Sequence, residues 1–404
     1  MRVLLVGSGG REHAIGWKLA QSSRVTELVS LPGNPGLAEL GPIVEGISPG
    51  DVGAVAAMAR IHGVDLVVVG PEDPLAAGIA DALIRLGIPV FGPTRAAARL
   101  ESSKTFAKEM MIRAGVPTGA YSRFTEPEEA VAHLESTDGP YVVKADGLAG
   151  GKGVLVTDSR SDAVDWARRW IETGPVVVEE YLEGPEVSVF AVCTESGAIG
   201  LEPARDYKRL LDGDAGPNTG GMGSYSPVPD LPEGLVDQTI ETVIAPTLEQ
   251  MQKNGNRFSG FLYAGLVLTE QGPKVLEFNV RLGDPETQAI LPRMSGDLLD
   301  VLEGGIPTWS DESTVNVVLA APGYPTAPET GGQIKGLNGT AQEGVIIFHA
   351  GTRAEGGKYF VDGGRVLDVV GIGPSHDVAR DRAYSAAERI TWPGIQYRKD
   401  IGTR

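Results

Sequence analysis

A multidomain chain of α/β and α+β units is the fold class this sequence predicts, and three observations carry it. Residues 1 to about 92 alternate strand-like and helix-like patterns. A glycine-lysine stretch at 144–153 lies between two short apolar runs, as a loop joining antiparallel strands would. From 314 onward several short strand patterns precede one long helix. At 404 residues the chain is too long for a single hydrophobic core, so roughly two to four domains are expected.

Composition narrows the function classes. Hydrophobic residues make up 42% and charged residues 22%, ordinary values for a globular protein. No apolar run approaches the roughly 20 residues that cross a bilayer. Met1 and Arg2 lead straight into Val3 without a cleavable signal pattern, so a cytoplasmic protein with no membrane partner is expected. Cys193 is the single cysteine, which rules out an internal disulfide and a thiolate metal cluster. The five histidines show no ligand spacing. A formal net charge of -18 repels phosphate backbones at long range and argues against nucleic acid as a partner. An anionic substrate must then be held by local basic groups.

In the first unit, strands fit 3–6, 28–31, 66–69 and 89–91, with helices near 13–21, 52–61 and 77–86. Such alternation gives a parallel sheet whose ligands sit beyond the carboxyl ends of the strands. Those ends carry 7–10 (GSGG), 32–36 (PGNPG) and 70–74 (GPEDP), loops expected to line one crevice. The first looks like part of a dinucleotide fingerprint. Glu12 stands where its third glycine belongs, however, and no acid ends the second strand, which disfavours NAD. A helix N-terminus at 10–13 remains a seat for a single phosphate. Residues 95–114 read as one helix, in which Lys104 and Lys108 carry no local mark of function.

Residues 117–193 read as a short α/β unit: a helix near 127–134, the glycine-lysine hairpin, a helix near 162–171, and strands at 176–182 and 186–193. In the hairpin, missing side chains leave backbone N–H groups approachable, and Lys144 and Lys152 supply point charges for phosphate oxygens. A flexible hairpin with solvated lysines has the same pattern. The strand-to-strand setting, and Gly153 after Lys152, separate it from a Walker A loop. Three valines before Glu179 and Glu180 suggest a buried strand emerging into a hinge whose backbone suits an adenine edge, and Glu186 suits ribose hydroxyls. Acids on an exposed strand edge would look alike. Residues 205–228 show little periodicity, and a loop of that length is usually functional or disordered. Its Asp206, Lys208 and Arg209 offer partners for both an ammonium and an anion.

Strands at 261–268 and 274–280 make a hairpin through 270–273. A period of two turns Leu276, Phe278 and Val280 to one face and sends Glu277 and Asn279 to the other. A carboxylate beside an amide oxygen suits Mg²⁺, which takes hard oxygen donors; a half-exposed strand gives the same alternation. Arg281 suits a two-pronged contact with carboxylate or phosphate. Residues 284–287 (DPET) open a helix with Asp284 as its cap and Pro285 in the first position. After a linker at 304–307, strands near 316–320, 345–349, 358–361 and 366–369, a turn at 362–364 and a helix over 375–390 complete the chain.

Eight stretches in collinear order carry a resemblance: 6–14 (VGSGGREHA), 32–36 (PGNPG), 70–72 (GPE), 144–153 (KADGLAGGKG), 216–223 (GPNTGGMG), 277–279 (EFN), 281–288 (RLGDPETQ) and 397–402 (YRKDIG). Together they resemble the ATP-grasp superfamily and, within it, the phosphoribosylamine–glycine ligase (glycinamide ribonucleotide synthetase) family, from end to end. The resemblance implies a Rossmann-like domain over 1–100, an ATP-grasp domain over 101–310 with a mobile lid at about 117–185, and a C-terminal α+β domain over 314–404. It also implies an enzyme that ligates glycine to 5-phosphoribosylamine in purine biosynthesis, splitting ATP to ADP and phosphate; a monomer is the default expectation. Carried over residue by residue, Lys104, Lys144, Gly147, Gly150, Gly151, Lys152, Gly153, Glu179, Glu180, Leu182 and Glu186 would bind ATP. Glu277 and Asn279 would hold Mg²⁺, or Mn²⁺ in its place. Asp206, Lys208 and Arg281 would be catalytic and face the substrates, with Gly9, Gly10, Asn34, Gly36, Glu72, Gly283 and Pro285 completing that site.

Two departures stand out. Tyr207 replaces the histidine that many relatives carry, and residues 261–268 contain no acid where many ATP-grasp relatives have a further metal ligand. The implied chemistry fits the residue types. A carboxylate is a poor acyl donor, so phosphorylation to glycyl phosphate precedes attack by the amine. That step requires positioning and charge neutralisation rather than a protein nucleophile, and a closing lid would keep water from the anhydride. The rival readings are another ATP-grasp ligase or carboxylase, which would lack the 216–223 loop, and a nucleotide sensor, which would lack the Glu277–Asn279 pair.

Overall fold

The computed structural model describes residues 1–149, 153–337 and 342–403. Its first sheet is fully parallel, in the order Glu27–Pro32, Arg2–Gly7, Leu66–Val69, Val90–Phe91. Val3 to Val6 and Val67 to Val69 are buried, as continuous apolar strands flanked by helices on both faces require. The helix expected near 77–86 is Ile79–Arg85, and a second, unexpected helix, Glu72–Ala77, precedes it. They break at Gly78, whose φ of 93° is left-handed and ends a helix at little cost to a residue without Cβ. The helix expected over 95–114 divides, into Arg99–Ser102 and Lys104–Ala114. Ser103 lies in extended backbone, and its hydroxyl accepts from the Phe106 N–H at 3.2 Å, restarting the helix with Lys104 in its first turn.

A second, antiparallel sheet runs Tyr121–Phe124, Val176–Glu179, Tyr141–Ala145, Val154–Thr157. The helices Pro127–Ser136 and Arg160–Ile171 cover it with a core of their own, built from Ala130, Leu134, Tyr141, Val143, Ala163, Ala167, Val176 and Val178. That separate core makes this sheet, the expected lid, a packing unit distinct from the larger body. The body sheet, in the order Gly197–Gly200, Glu186–Thr194, Gly260–Thr269, Gly272–Asn279, is antiparallel and shares its core with the first domain.

The expected alternation in the last of those strands is shifted. Glu277 faces Gly265 and Val275 faces Leu266, so Leu276 is an extra residue in a bulge. The core side is therefore Val275, Phe278 and Val280, while Leu276 turns towards the cleft between lid and body.

Residues 205–228 are not a bare loop. Arg209–Leu211 and Ala215–Asn218 pair as a hairpin, and Arg205–Asp206 and Gly223–Ser226 join Ser313–Ala320, Arg365–Gly373 and Val345–His349 in a five-stranded sheet. Gly223–Ser226 takes its edge from Ser313–Ala320, far along the chain, so no local periodicity announces it. The helix His376–Ala387 packs on this sheet. Among the described residues no helix is long and apolar enough to cross a membrane.

Candidate active site

Lid and body face each other across a cleft of about 1100 Å³. Its floor and roof come from positions far apart in sequence. Lys144, on a lid strand, places Nζ 3.0 Å from Glu179 Oε2 and 3.4 Å from the Leu276 carbonyl of the body. Lys104 donates to the Gly147 carbonyl at 3.0 Å, which ties the body helix to the glycine loop. Burial lowers the pKa of Lys104, with Glu277 opposing and Lys144 assisting. Gly147 has a φ of 146°, a backbone that only glycine adopts readily. Gly150, Gly151 and Lys152 lie outside the described residues. Gly153 is buried, and a Cβ there would meet the Ala149 side chain at 2.5 Å.

The hinge residues Glu179, Glu180 and Leu182 all line the cleft. Glu179 does so as a buried counter-ion for two lysines, Lys144 and Lys108. The Glu180 N–H donates to the Ala120 carbonyl at 2.8 Å, so that group is already engaged by protein. Glu186 is exposed and forms an ion pair with Lys208.

Glu277 and Asn279 project together into the same cleft, with Asn279 Nδ2 3.5 Å from Glu277 Oε1. Burial works against ionisation of Glu277, but Lys208, Lys144, Lys104 and Arg281 outweigh it and hold the carboxyl below its ordinary range. Among the described residues no group of three or more His, Cys, Asp or Glu is arranged to hold a metal ion by itself. The donor set thus suits a cation that takes two oxygens from protein and shares the rest with phosphate and water. Arg281 donates to Asn279 Oδ1 at 3.1 Å and Glu72 Oε2 at 3.1 Å, and pairs with Glu101 Oε1 at 2.9 Å. Burial opposes the charge of Glu72, yet Arg281 and Arg11 bring its pKa down to about 2. Burial raises Glu101 to about 7 against the pull of Arg281.

Asp206 and Lys208 line the cleft from the far side. Burial opposes the charge on Lys208, while Asp206, Tyr263, Glu186 and Glu277 raise its pKa well above the ordinary value. Beneath them Glu286 accepts from Ser188 Oγ at 3.0 Å, and burial together with Asp206 raises its pKa. Gly283 is pressed against Glu286, whose carboxyl a Cβ would meet at 2.4 Å.

The first-domain residues divide. Glu72 lines the cleft; Gly9, Gly10, Asn34 and Gly36 do not. Asn34 is buried, with its amide donating to Ser8 and His349 carbonyls at 2.9 and 2.7 Å and its oxygen accepting from Leu37. Gly36 lies against His13, and the helix N-terminus at Gly10 faces Asp368, whose Oδ2 would be 2.2 Å from a Cβ. That N-terminus therefore meets protein carboxylate where a phosphate was expected. Pro285 sits outside the cleft lining, its carbonyl accepting from Ser224 Oγ at 2.7 Å. Asp284 does not cap the helix Glu286–Ile290. Pro285 takes the N-cap position, and the Asp284 carboxylate instead accepts from Gln288 at 2.8 Å and pairs with Arg365 at 3.4 Å.

Sequence reasoning passed over Lys108, Glu101, Glu286 and Arg365, all of which line the cleft. For Lys108 a signal existed: it sits between Ala107 and Met111, within the apolar stripe of its helix, where a solvated lysine does not belong.

A lid sheet with its own core, lysines on both of its sides, and a carboxylate–amide pair on a body strand define an ATP-grasp ligase. Family profiles for phosphoribosylglycinamide synthetase agree: its N domain matches residues 1–101, its ATP-grasp (A) domain 102–287 and its C domain 314–404. The chain is 46% identical over 416 residues to the phosphoribosylamine–glycine ligase of Mesorhizobium japonicum, covering 100% of this chain and 98% of that one. The crystal structure of phosphoribosylamine–glycine ligase from Thermotoga maritima superposes with a TM-score of 0.86 at 38% identity, covering 99% and 100% of the two chains. A biotin carboxylase domain from Hydrogenobacter thermophilus, solved with MgADP and bicarbonate, shares the fold alone, with a TM-score of 0.73 at 18% identity over 98% of this chain and 91% of that one. The chain belongs to the phosphoribosylamine–glycine ligase family. The fold class and the family resemblance read from the sequence both stand.

Proposed function

We propose that this chain uses ATP to join glycine to the amine of 5-phosphoribosylamine, giving glycinamide ribonucleotide, ADP and phosphate. The observation that carries this reading is one cleft lined by Lys104, Lys144, Glu277, Asn279, Asp206, Lys208 and Arg281. Lys104 and Lys144, with Lys152 from the glycine loop, hold the triphosphate; the 180–182 hinge takes the base and Glu186 the ribose. Glu277 and Asn279 hold Mg²⁺, which when bound neutralises phosphate charge during transfer. Arg281 and Lys208 hold the glycine carboxylate, and Asp206 its ammonium.

A glycine oxygen attacks the γ-phosphorus and ADP leaves, giving glycyl phosphate. The amine nitrogen of phosphoribosylamine then attacks the acyl carbon, phosphate departs, and the nitrogen loses a proton. The body's ionised Glu277 sits among cations, so charge within the cleft is balanced before substrate arrives. The protein acts as a cytoplasmic monomer, and Gly9, Gly10, Asn34 and Gly36 serve the sugar-phosphate site by shaping the wall behind Glu72.

The test is ADP formation with glycine and phosphoribosylamine omitted in turn. Dependence on both is expected. ADP release that ignores either one, or a product lacking the glycyl amide by mass spectrometry, sinks the assignment.

A further inference from the structure

The buried ammonium of Lys108 has no part in the chemistry above, yet it lines the nucleotide cleft and is only 2% exposed. A lysine so placed carries an uncompensated charge unless every N–H finds an acceptor. Lys108 finds three: Thr118 Oγ1 at 2.8 Å, the Gly119 carbonyl at 3.3 Å and Glu179 Oε2 at 2.9 Å. Thr118 in turn donates to the Val275 carbonyl at 2.6 Å, on the strand that carries Glu277. All three donors of Lys108 are therefore committed, and none is left for phosphate.

Lys144 differs. It shares the same Glu179 oxygen at 3.0 Å and reaches the Leu276 carbonyl at 3.4 Å, so two of its donors are engaged and the third faces the cleft. One carboxylate oxygen thus divides its charge between a fixed lysine from the body helix Lys104–Ala114 and a lysine from the lid.

We propose that Lys108 is a positioning residue for ATP: as a permanent counter-ion to Glu179 across the lid–body joint, it leaves Lys144 available to a phosphate oxygen. The inference rests on the reading of Lys144 as a phosphate ligand. Without Lys108, Glu179 keeps Lys144 as its one ion-pair partner among the described residues. Nucleotide then has to draw Lys144 away from a carboxylate that has lost its other ion-pair partner, and binding weakens although Lys108 touches no substrate.

The test uses the full chain and Mg²⁺ with β,γ-imido-ATP as probe, read by calorimetry, alongside steady-state KM values. Lys108→Met is expected to weaken nucleotide binding and raise KM for ATP about tenfold, roughly 1.4 kcal/mol, with KM for glycine within about twofold. Lys108→Arg, which keeps the charge, is expected to restore most of the binding. In a Glu179→Gln background, where there is no carboxylate to compensate, Lys108→Met is expected to have no further effect. Equal losses in both backgrounds overturn the proposal, as does an unchanged KM for ATP in Lys108→Met. Should Lys108→Met alone fail to fold, Glu179→Gln and the double variant still decide it: equal affinity supports the inference and a tenfold gap overturns it. A wild-type protein that does not bind the analogue would instead remove the ATP-site reading on which the inference stands.

Discussion

Replacing Arg281 with methionine should separate charge balance from shape at the centre of the site. The guanidinium is held by Glu72 Oε2 at 3.1 Å and Glu101 Oε1 at 2.9 Å, while Glu101 Oε2 accepts from the Val280 N–H at 2.7 Å. Glu101 is almost fully enclosed, and its pKa is raised by burial to about 7, above the 4.5 of a free carboxyl. Its charge therefore costs stability, a cost absent below about 4.5 and fully present above about 7, and Arg281 offsets it over that window. At pH 8 the variant lacks the cation that holds the Glu101 pKa down, so Glu101 takes up a proton that the wild type has lost, and Glu72 keeps Arg11 at 3.9 Å. Breaking a buried pair in this way costs about 3–5 kcal/mol. At pH 6 Glu101 is largely protonated in both proteins, so the loss should be smaller than at pH 8 by about 1.4 kcal/mol. Urea unfolding at the two pH values measures the difference, and Arg281→Lys, which retains charge without the two-pronged fork, is the control. A loss of equal size at pH 6 and pH 8 would refute the reasoning.

Other expectations follow from the same geometry. Glu277→Gln should lower kcat on the order of 100-fold and raise the Mg²⁺ concentration needed for half activity; a metal titration of ADP release checks it. Gly184→Ala should cost about 1–3 kcal/mol in thermal stability, because its φ of 147° is left-handed territory and a Cβ would lie 2.3 Å from the Leu268 carbonyl oxygen. Arg398 is 1% exposed and pairs with Asp214 and Asp400, both at 2.7 Å, while donating to the Arg209 carbonyl at 3.1 Å. Its replacement by methionine should cost about 1.5–3 kcal/mol, and it should raise KM for glycine more than KM for ATP, since the 209–218 hairpin it anchors adjoins Asp206 and Lys208. Glu72, with a folded pKa of about 2, contributes stability present above 4.5 and lost as pH falls towards 2. Glu72→Gln should flatten that acid limb in a pH series of melting temperatures.

The sequence by itself determined whatever depends on neighbours in the chain. The parallel strands of the first domain, the glycine-lysine hairpin and the side-by-side projection of Glu277 and Asn279 follow from local periodicity and turn chemistry, and collinear motifs then carried the family. Tertiary structure alone decided what depends on distant partners. The bulge at Leu276 arises from pairing with Gly260–Thr269 and turns that side chain from the core to the cleft. Gly223–Ser226 is a strand because Ser313–Ala320 offers it an edge, and Arg205–Asp206 then pairs with Gly223–Ser226. Lys108 and Glu101 matter once burial removes water from around them, and only then does each need its partner: Glu179 for one, Arg281 for the other. A hydrogen-bond donor is legible in a sequence, but its desolvation is set by what the rest of the chain packs against it.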